Sequence, residues 1–252
     1  MVPLVVSLLV FLANLKITYL ESLILVFGIP ATYLSFRSKE KVYKIALFSL
    51  LASIPVAVIV ELIAYWDKAW VVTQSVFPIR LFGFSPIENY IWQFLTVYLI
   101  IIFYEQFCKN SFRPTISKRI VIMASFLYSL MAVLSVAFYF ESPLLHISYP
   151  YVWFCVPFFI IPVVSFLWKY PRFLFGFLKV QLYFLYIHMI FESIGVKLGH
   201  WIYPSTHYIG WVTFIGQNFP LEEFVFVMLI GAMAACTYYE YFANDYMAQK
   251  SS

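Results

Sequence analysis

Long apolar runs alternate along the whole chain with short breaks that carry charge, Pro or Gly, and they predict helices over residues 17–35, 43–66, 86–107, 118–139, 150–168, 173–196 and 220–242. A helix needs about 20 mainly apolar residues to cross the hydrocarbon core of a bilayer. The pattern therefore predicts an all-α membrane protein with about seven transmembrane helices and short loops. Met1–Leu15 is also apolar, but lacks the basic start and small-residue cleavage site of a signal peptide. It is read as mature chain, either an extension or an eighth span; one tilted helix over 3–27 is the alternative. Composition agrees with the pattern. Of 252 residues, 63% are hydrophobic and 11% charged, with mean hydropathy +0.88, whereas soluble domains are about a quarter charged.

The basic residues give an orientation. Arg37, Lys39, Lys41 and Lys44 follow the first span, Lys109, Arg113, Lys118 and Arg119 the third, and Lys169 and Arg172 the fifth, with Lys250 in the tail. Lys16, Lys68, Arg80 and Lys197 fall on the other side. The excess of Lys and Arg marks the cytoplasmic face, so the N-terminus is expected outside and the C-terminus inside, in the cell membrane. The net charge of +4 is then loop charge and points to no nucleic acid.

A repeat runs through the pattern. Glu61 and Trp70 are nine residues apart at the end of one span, and Glu192 and Trp201 repeat that spacing in the second half. An aromatic loop follows each. Pro86-Ile87-Glu88 and Pro220-Leu221-Glu222 then open the next span, which closes on Tyr104-Glu105 in one half and Tyr239-Glu240 in the other. The expected organisation is a first three-helix unit over 1–110, a linker helix within 111–145 and a second three-helix unit over 146–252. One linker helix places both units in the same orientation, and sites on such repeats lie at their interface.

Ionisable groups in or at a membrane are costly and mark functional sites. Glu222 and Glu223 stand side by side at a helix entry, Glu88 begins the matching helix, and Glu61 and Glu192 lie in the outer parts of their spans. Helix capping is the plain reading of the acids after Pro. Two adjacent carboxylates in a poorly solvated site, however, retain one proton between them, which sets a donor beside an acceptor. His188, four residues before Glu192, shares its helix face and forms either a proton relay or a buried pair that locks two helices. Glu105 and Glu240 read as interfacial anchors. Many of the 20 Tyr and 7 Trp belong to interfacial belts, but Trp66, Trp70, Tyr90, Trp92, Trp201, Tyr203 and Trp211 crowd the level of the acids, where ring faces stabilise a cation.

Other chemistries lack their residues. Asp67 and Asp245 are the only Asp, so no Asp-rich pair holds magnesium diphosphate. No Gly-x-Gly-x-x-Gly run occurs, residues 220–242 contain no Lys for a retinal Schiff base, and the four His are scattered. Cys108, Cys155 and Cys236 show no metal or redox spacing. No metal and no cofactor is expected.

On Pro220-Leu221-Glu222-Glu223-Phe224-Val225-Phe226, its partner Pro86-Ile87-Glu88 and the paired Glu-to-Trp spacing, the chain resembles the integral-membrane lycopene cyclases, here as one fused chain. Asn89 departs from that pattern, standing where a second acid would make the halves alike. The resemblance implies a lycopene β-cyclase that protonates the ψ-end, closes a six-membered ring through a carbocation and releases a proton, with no net redox change. It assigns Glu222 or Glu223 as general acid and Glu88, Glu61 and Glu192 as base, relay or positioning groups. His188, Trp70, Trp201, Tyr90, Trp92 and Asn89 would contact the polyene. The expected partners are lycopene and membrane lipids, with a second copy of the chain or other carotenoid enzymes as neighbours. A cyclase for C50 carotenoids is an alternative within the class; a small-solute or proton-coupled transporter and a membrane scaffold are alternatives outside it.

Overall fold

The computed structural model describes residues 16–109 and 112–244. Six helices are long and apolar enough to cross a membrane: α1 Tyr19–Arg37, α2 Lys39–Tyr65, α3 Ile87–Phe107, α4 Arg119–Tyr139, α5 Pro150–Lys169 and α6 Pro171–Leu198. The chain is an all-α membrane protein. In such a protein every backbone N–H and C=O at membrane depth must find a partner inside the fold, which favours long helices. Their outward faces carry bare apolar side chains, such as Trp153, Trp168, Phe175, Ile122 and Val133. Met1–Leu15 lies outside the described residues.

The seventh expected span is helical but broken. It runs as a π turn over Glu223–Met228, a helix α7 over Gly231–Tyr238 and a second π turn over Tyr239–Ala243, with a kink at Leu229 and Ile230. Glu88 and Glu105 are 17 residues apart in the unbroken α3, whereas Glu222 and Glu240 are 18 apart. One residue must be absorbed, and a π turn does that. Gln181 of α6 closes the break by donating to the Met228 carbonyl and accepting from the Met233 N–H at 3.1 Å.

The two halves carry the same series of elements. In α1 a π turn at Ile24–Gly28 begins six residues before Pro30, and in α5 a π turn at Val156–Ile160 begins six residues before Pro162. Proline cannot donate to the carbonyl four residues back and its ring collides with it, so the preceding turn widens. The carbonyl so released in α5, that of Phe158, accepts from the Tyr238 hydroxyl at 2.9 Å. After α2 and α6 come β1 (Val71–Val72) and β4 (Trp201–Ile202); the hairpins β2 (Arg80–Leu81) with β3 (Ser85–Pro86) and β5 (Trp211–Phe214) with β6 (Gln217–Pro220) then lead into α3 and the broken seventh segment. The helix α4 packs on α2 between the two series.

Strands β1 and β4 pair antiparallel, Val71 opposite Ile202 and Val72 opposite Trp201. Val71 and Ile202 each lie ten residues beyond their glutamate, Glu61 and Glu192. Counterparts therefore face each other in the ladder at Val71 and Ile202, the arrangement a two-fold axis requires. At the far end of the helices Lys109 binds both Glu105 at 3.1 Å and Glu240 at 2.8 Å. Like ends meet like ends, so the halves run in the same direction. Lys44, also buried at that end, donates to the carbonyls of Arg113 (2.9 Å) and Thr115 (2.8 Å) and to Asn244 Oδ1 (2.5 Å).

Candidate functional site

A cavity of about 500 Å³ lies between the halves. Its walls follow α2 from Phe48 to Ala64, about 24 Å at 1.5 Å per residue. They are apolar and aromatic almost throughout, with Trp92, Phe154, Phe159 and Phe191 among the rings and Ile122, Phe126 and Leu130 contributed by α4. Three carboxylates, Glu61, Glu192 and Glu223, face this space at the end nearest β1 and β4.

Each half builds a matched set of four residues there. In the first, Trp70 Nε1 donates to Glu61 Oε1 at 2.9 Å, Asn89 Nδ2 donates to the same oxygen at 2.7 Å, and Tyr19 donates to Asn89 Oδ1 at 3.2 Å. In the second, Trp201 Nε1 donates to Glu192 Oε1 at 2.6 Å, and Tyr151 and Glu223 line the same cavity as Glu192. Tyr151 is to Pro162 what Tyr19 is to Pro30, and Glu223 follows Glu222 as Asn89 follows Glu88. The sets differ at one position: an amide that can only donate toward its carboxylate in the first half is a carboxyl in the second. Tyr203 adds a second donor to Glu192 Oε1. Burial, and then the Glu192 carboxylate, hold its hydroxyl well above the ordinary tyrosine range, so it remains a donor at neutral pH.

The structure separates the expected acids into two groups. Glu88 and Glu222 do not line the cavity. Glu88 accepts from Val76 N at 2.6 Å, Phe77 N at 3.4 Å and Ser75 Oγ at 2.8 Å, and Glu222 accepts from Ile209 N at 2.6 Å. Both fasten the loop that precedes their helix to its start, in the manner of caps. The reason is helical geometry: adjacent residues project about 100° apart, so Glu222 and Glu223 cannot serve one site together. The carboxylate that faces Glu223 is Glu192, not its sequence neighbour.

Among the residues expected to touch a polyene, Trp70, Trp201, Trp92, Asn89 and His188 line the cavity. Tyr90 does not; it packs outside, against Ala57, Val58 and Leu62. His188 is no partner of Glu192: neither ring nitrogen has a hydrogen bond, and the ring rests near Phe27 and Phe184. Glu105 and Glu240 are buried ion-pair members at the opposite end, where they were expected as interfacial anchors. Tyr19 and Tyr151 escaped the sequence reading because the chain supplies many tyrosines, whereas Tyr203 was among the aromatics expected at the level of the acids. Aligning Pro30 with Pro162 would have singled out the other two. Among the described residues no group of three His, Cys, Asp or Glu is placed to hold a metal ion, and the three cysteines are free.

What the arrangement offers is acid–base chemistry in a largely apolar space. Two carboxylates facing one apolar space cannot both carry full charge cheaply, so they hold one proton between them. A proton held there is retained at neutral pH and can be given to whatever fills the cavity, and aromatic walls stabilise a cation formed beside it without capturing it. No known protein family, curated protein or solved structure matches the chain.

Proposed function

We propose that the chain is a lycopene β-cyclase of the cell membrane, with the carboxylate end of the cavity toward the outside and the Lys44 and Lys109 end toward the cytoplasm. The observation that carries this reading is the Glu192–Glu223 pair at the head of a long aromatic cavity. Glu223 is the general acid. Its proton adds to C2 of the ψ-end, leaving the charge on C1; the C5–C6 double bond attacks C1 and closes the six-membered ring; the charge, now on C5, is discharged by loss of the C6 proton. One proton enters and one leaves, so the reaction needs no redox partner. The alkene is a weak base, and the aimed acid and the fixed negative charge of Glu192 lower the barrier as the cation forms. The apolar, aromatic lining suits one end of a linear polyene drawn from the bilayer, the rest of which extends beyond the cavity.

Expression in lycopene-producing bacteria, with pigments separated by chromatography, tests the reading. Ring-bearing carotene is the expected result. Unchanged lycopene in cells whose membranes hold the folded protein refutes it. Glu223→Gln is expected to lower ring formation by about 100-fold or more, while Glu222→Gln, which alters a loop contact, leaves chemistry per folded molecule near wild type.

A further inference from the structure

The four-residue sets of the two halves match in residue type except at one position, and the difference is electrostatic. Asn89 and Glu223 occupy corresponding places in the sequence and both line the cavity, Asn89 bonded to Tyr19 and Glu61, Glu223 in the lining it shares with Tyr151 and Glu192. The Asn89 side chain has both ends committed: its carbonyl accepts from Tyr19 and its amide donates to Glu61. Glu61 Oε1 thus receives two hydrogen bonds, from Asn89 and Trp70, which offset part of what burial costs the carboxylate charge. Nothing in the first half has a proton to share with it. In the second half Glu192 also receives two donors, Trp201 and Tyr203, but its neighbour Glu223 can carry a proton.

We infer that Asn89 gives the cavity a direction: it leaves the first half without a proton to give, so that Glu223 delivers the proton to the substrate and Glu61 receives the one released. The assignment rests on the cyclase reading for its chemistry. In each turnover the Glu223 O–H bond breaks as C2–H forms, the ring closes, and the C6–H bond breaks as Glu61 becomes a neutral acid. A proton then leaves Glu61 and one returns to Glu223, restoring the starting state. Asn89 touches Glu61 and acts through it, so it is a positioning residue. An exact two-fold copy with acids in both halves would have two competing donors and no dedicated acceptor.

Two measurements on the full chain in lipid test this. Infrared difference spectroscopy without substrate reads protonated carboxyls directly. Glu223→Gln is expected to remove one such band, Glu61→Gln to leave it, Asn89→Gln to leave it, and Asn89→Asp to add a second. Turnover of lycopene in heavy water reads the two proton steps separately. Glu223→Gln should give neither ring nor label. Glu61→Gln should lower ring formation by about 100-fold while recovered lycopene gains deuterium at its ends, because protonation still occurs and reverses. The inference is overturned if Glu61→Gln forms rings within about threefold of wild type, if its recovered lycopene is unlabelled, or if Asn89→Asp adds no band. Should Glu61→Gln fail to fold, the Asn89→Asp spectrum decides alone. If wild type leaves lycopene unchanged while the bands behave as expected, the cyclase reading falls and the placement of the proton stands.

Discussion

Gly195 lies on α6 one turn from Glu192, and a methyl group there would sit 2.0, 2.1 and 2.6 Å from three ring carbons of Trp201. Contacts of this kind ordinarily begin near 3.4 Å, so in Gly195→Ala the indole must retreat by about 1.4 Å. The ring is hemmed in by Tyr19 at 5.3 Å and Phe191 at 5.3 Å between centroids. Such a retreat also draws Nε1 away from Glu192 Oε1, now 2.6 Å distant, to about 4 Å, beyond hydrogen-bonding range. Overpacking costs about 1–3 kcal/mol and a lost bond to a charged group about 1.5–3 kcal/mol. The sum, about 2.5–6 kcal/mol, corresponds to a fall in Tm of about 5–24 °C for a chain of this size. Thermal unfolding of the purified protein in detergent measures it. Gly176→Ala is the control, because its added methyl meets nothing closer than 3.6 Å and gains about 1 kcal/mol of helix propensity. The decisive comparison is Gly195→Ala in a Trp201→Leu background, where the ring is gone and the added methyl should cost nothing further. A cost as large there as in wild type would refute the argument that Trp201 is the obstacle.

Lys109→Met should destabilise by about 3–5 kcal/mol, since it leaves Glu105 and Glu240 facing each other without their shared cation; a drop of less than about 1 kcal/mol in denaturant or thermal unfolding would show that the pair finds other compensation. Glu88→Gln is expected to cost about 1–3 kcal/mol by turning an amide group toward the Val76 N–H, and limited proteolysis should then cut first in the 73–80 loop. Acid should loosen the outer loops through His200, whose ring is buried and meets the Ile17 carbonyl at 2.9 Å. Burial holds its pKa below the ordinary value, so the unfolded chain binds the proton first. Stability is therefore full above about pH 6.5 and declines as pH falls below it, and His200→Gln should flatten that part of a Tm-against-pH curve.

The helices were legible because hydropathy is a direct statement about the solvent each residue must meet. The predicted 118–139 and 150–168 stand against Arg119–Tyr139 and Pro150–Lys169. The seventh segment was legible as apolar but not as broken, since its fault is one extra residue, visible only when Glu222–Glu240 is counted against Glu88–Glu105. At the site, the nine-residue spacing from Glu61 to Trp70 and from Glu192 to Trp201 became two hydrogen bonds. The tandem Glu222-Glu223 misled in one respect: adjacency along the chain is divergence around a helix. Glu192 and Glu223 are brought together by two segments that meet in space, and Tyr151 by a third, which no local pattern can express.

The ladder of β1 and β4 has a further consequence. Because each strand meets its own counterpart, the seam is self-complementary, as in an isologous dimer contact. Either half made alone would present a strand able to pair with a second copy of itself. Joining the halves through α4 raises the local concentration of the correct mate above that of any stray copy, so the linker acts as a chaperone for pairing. It guarantees that every cavity receives one Asn89 and one Glu223, and not two of either.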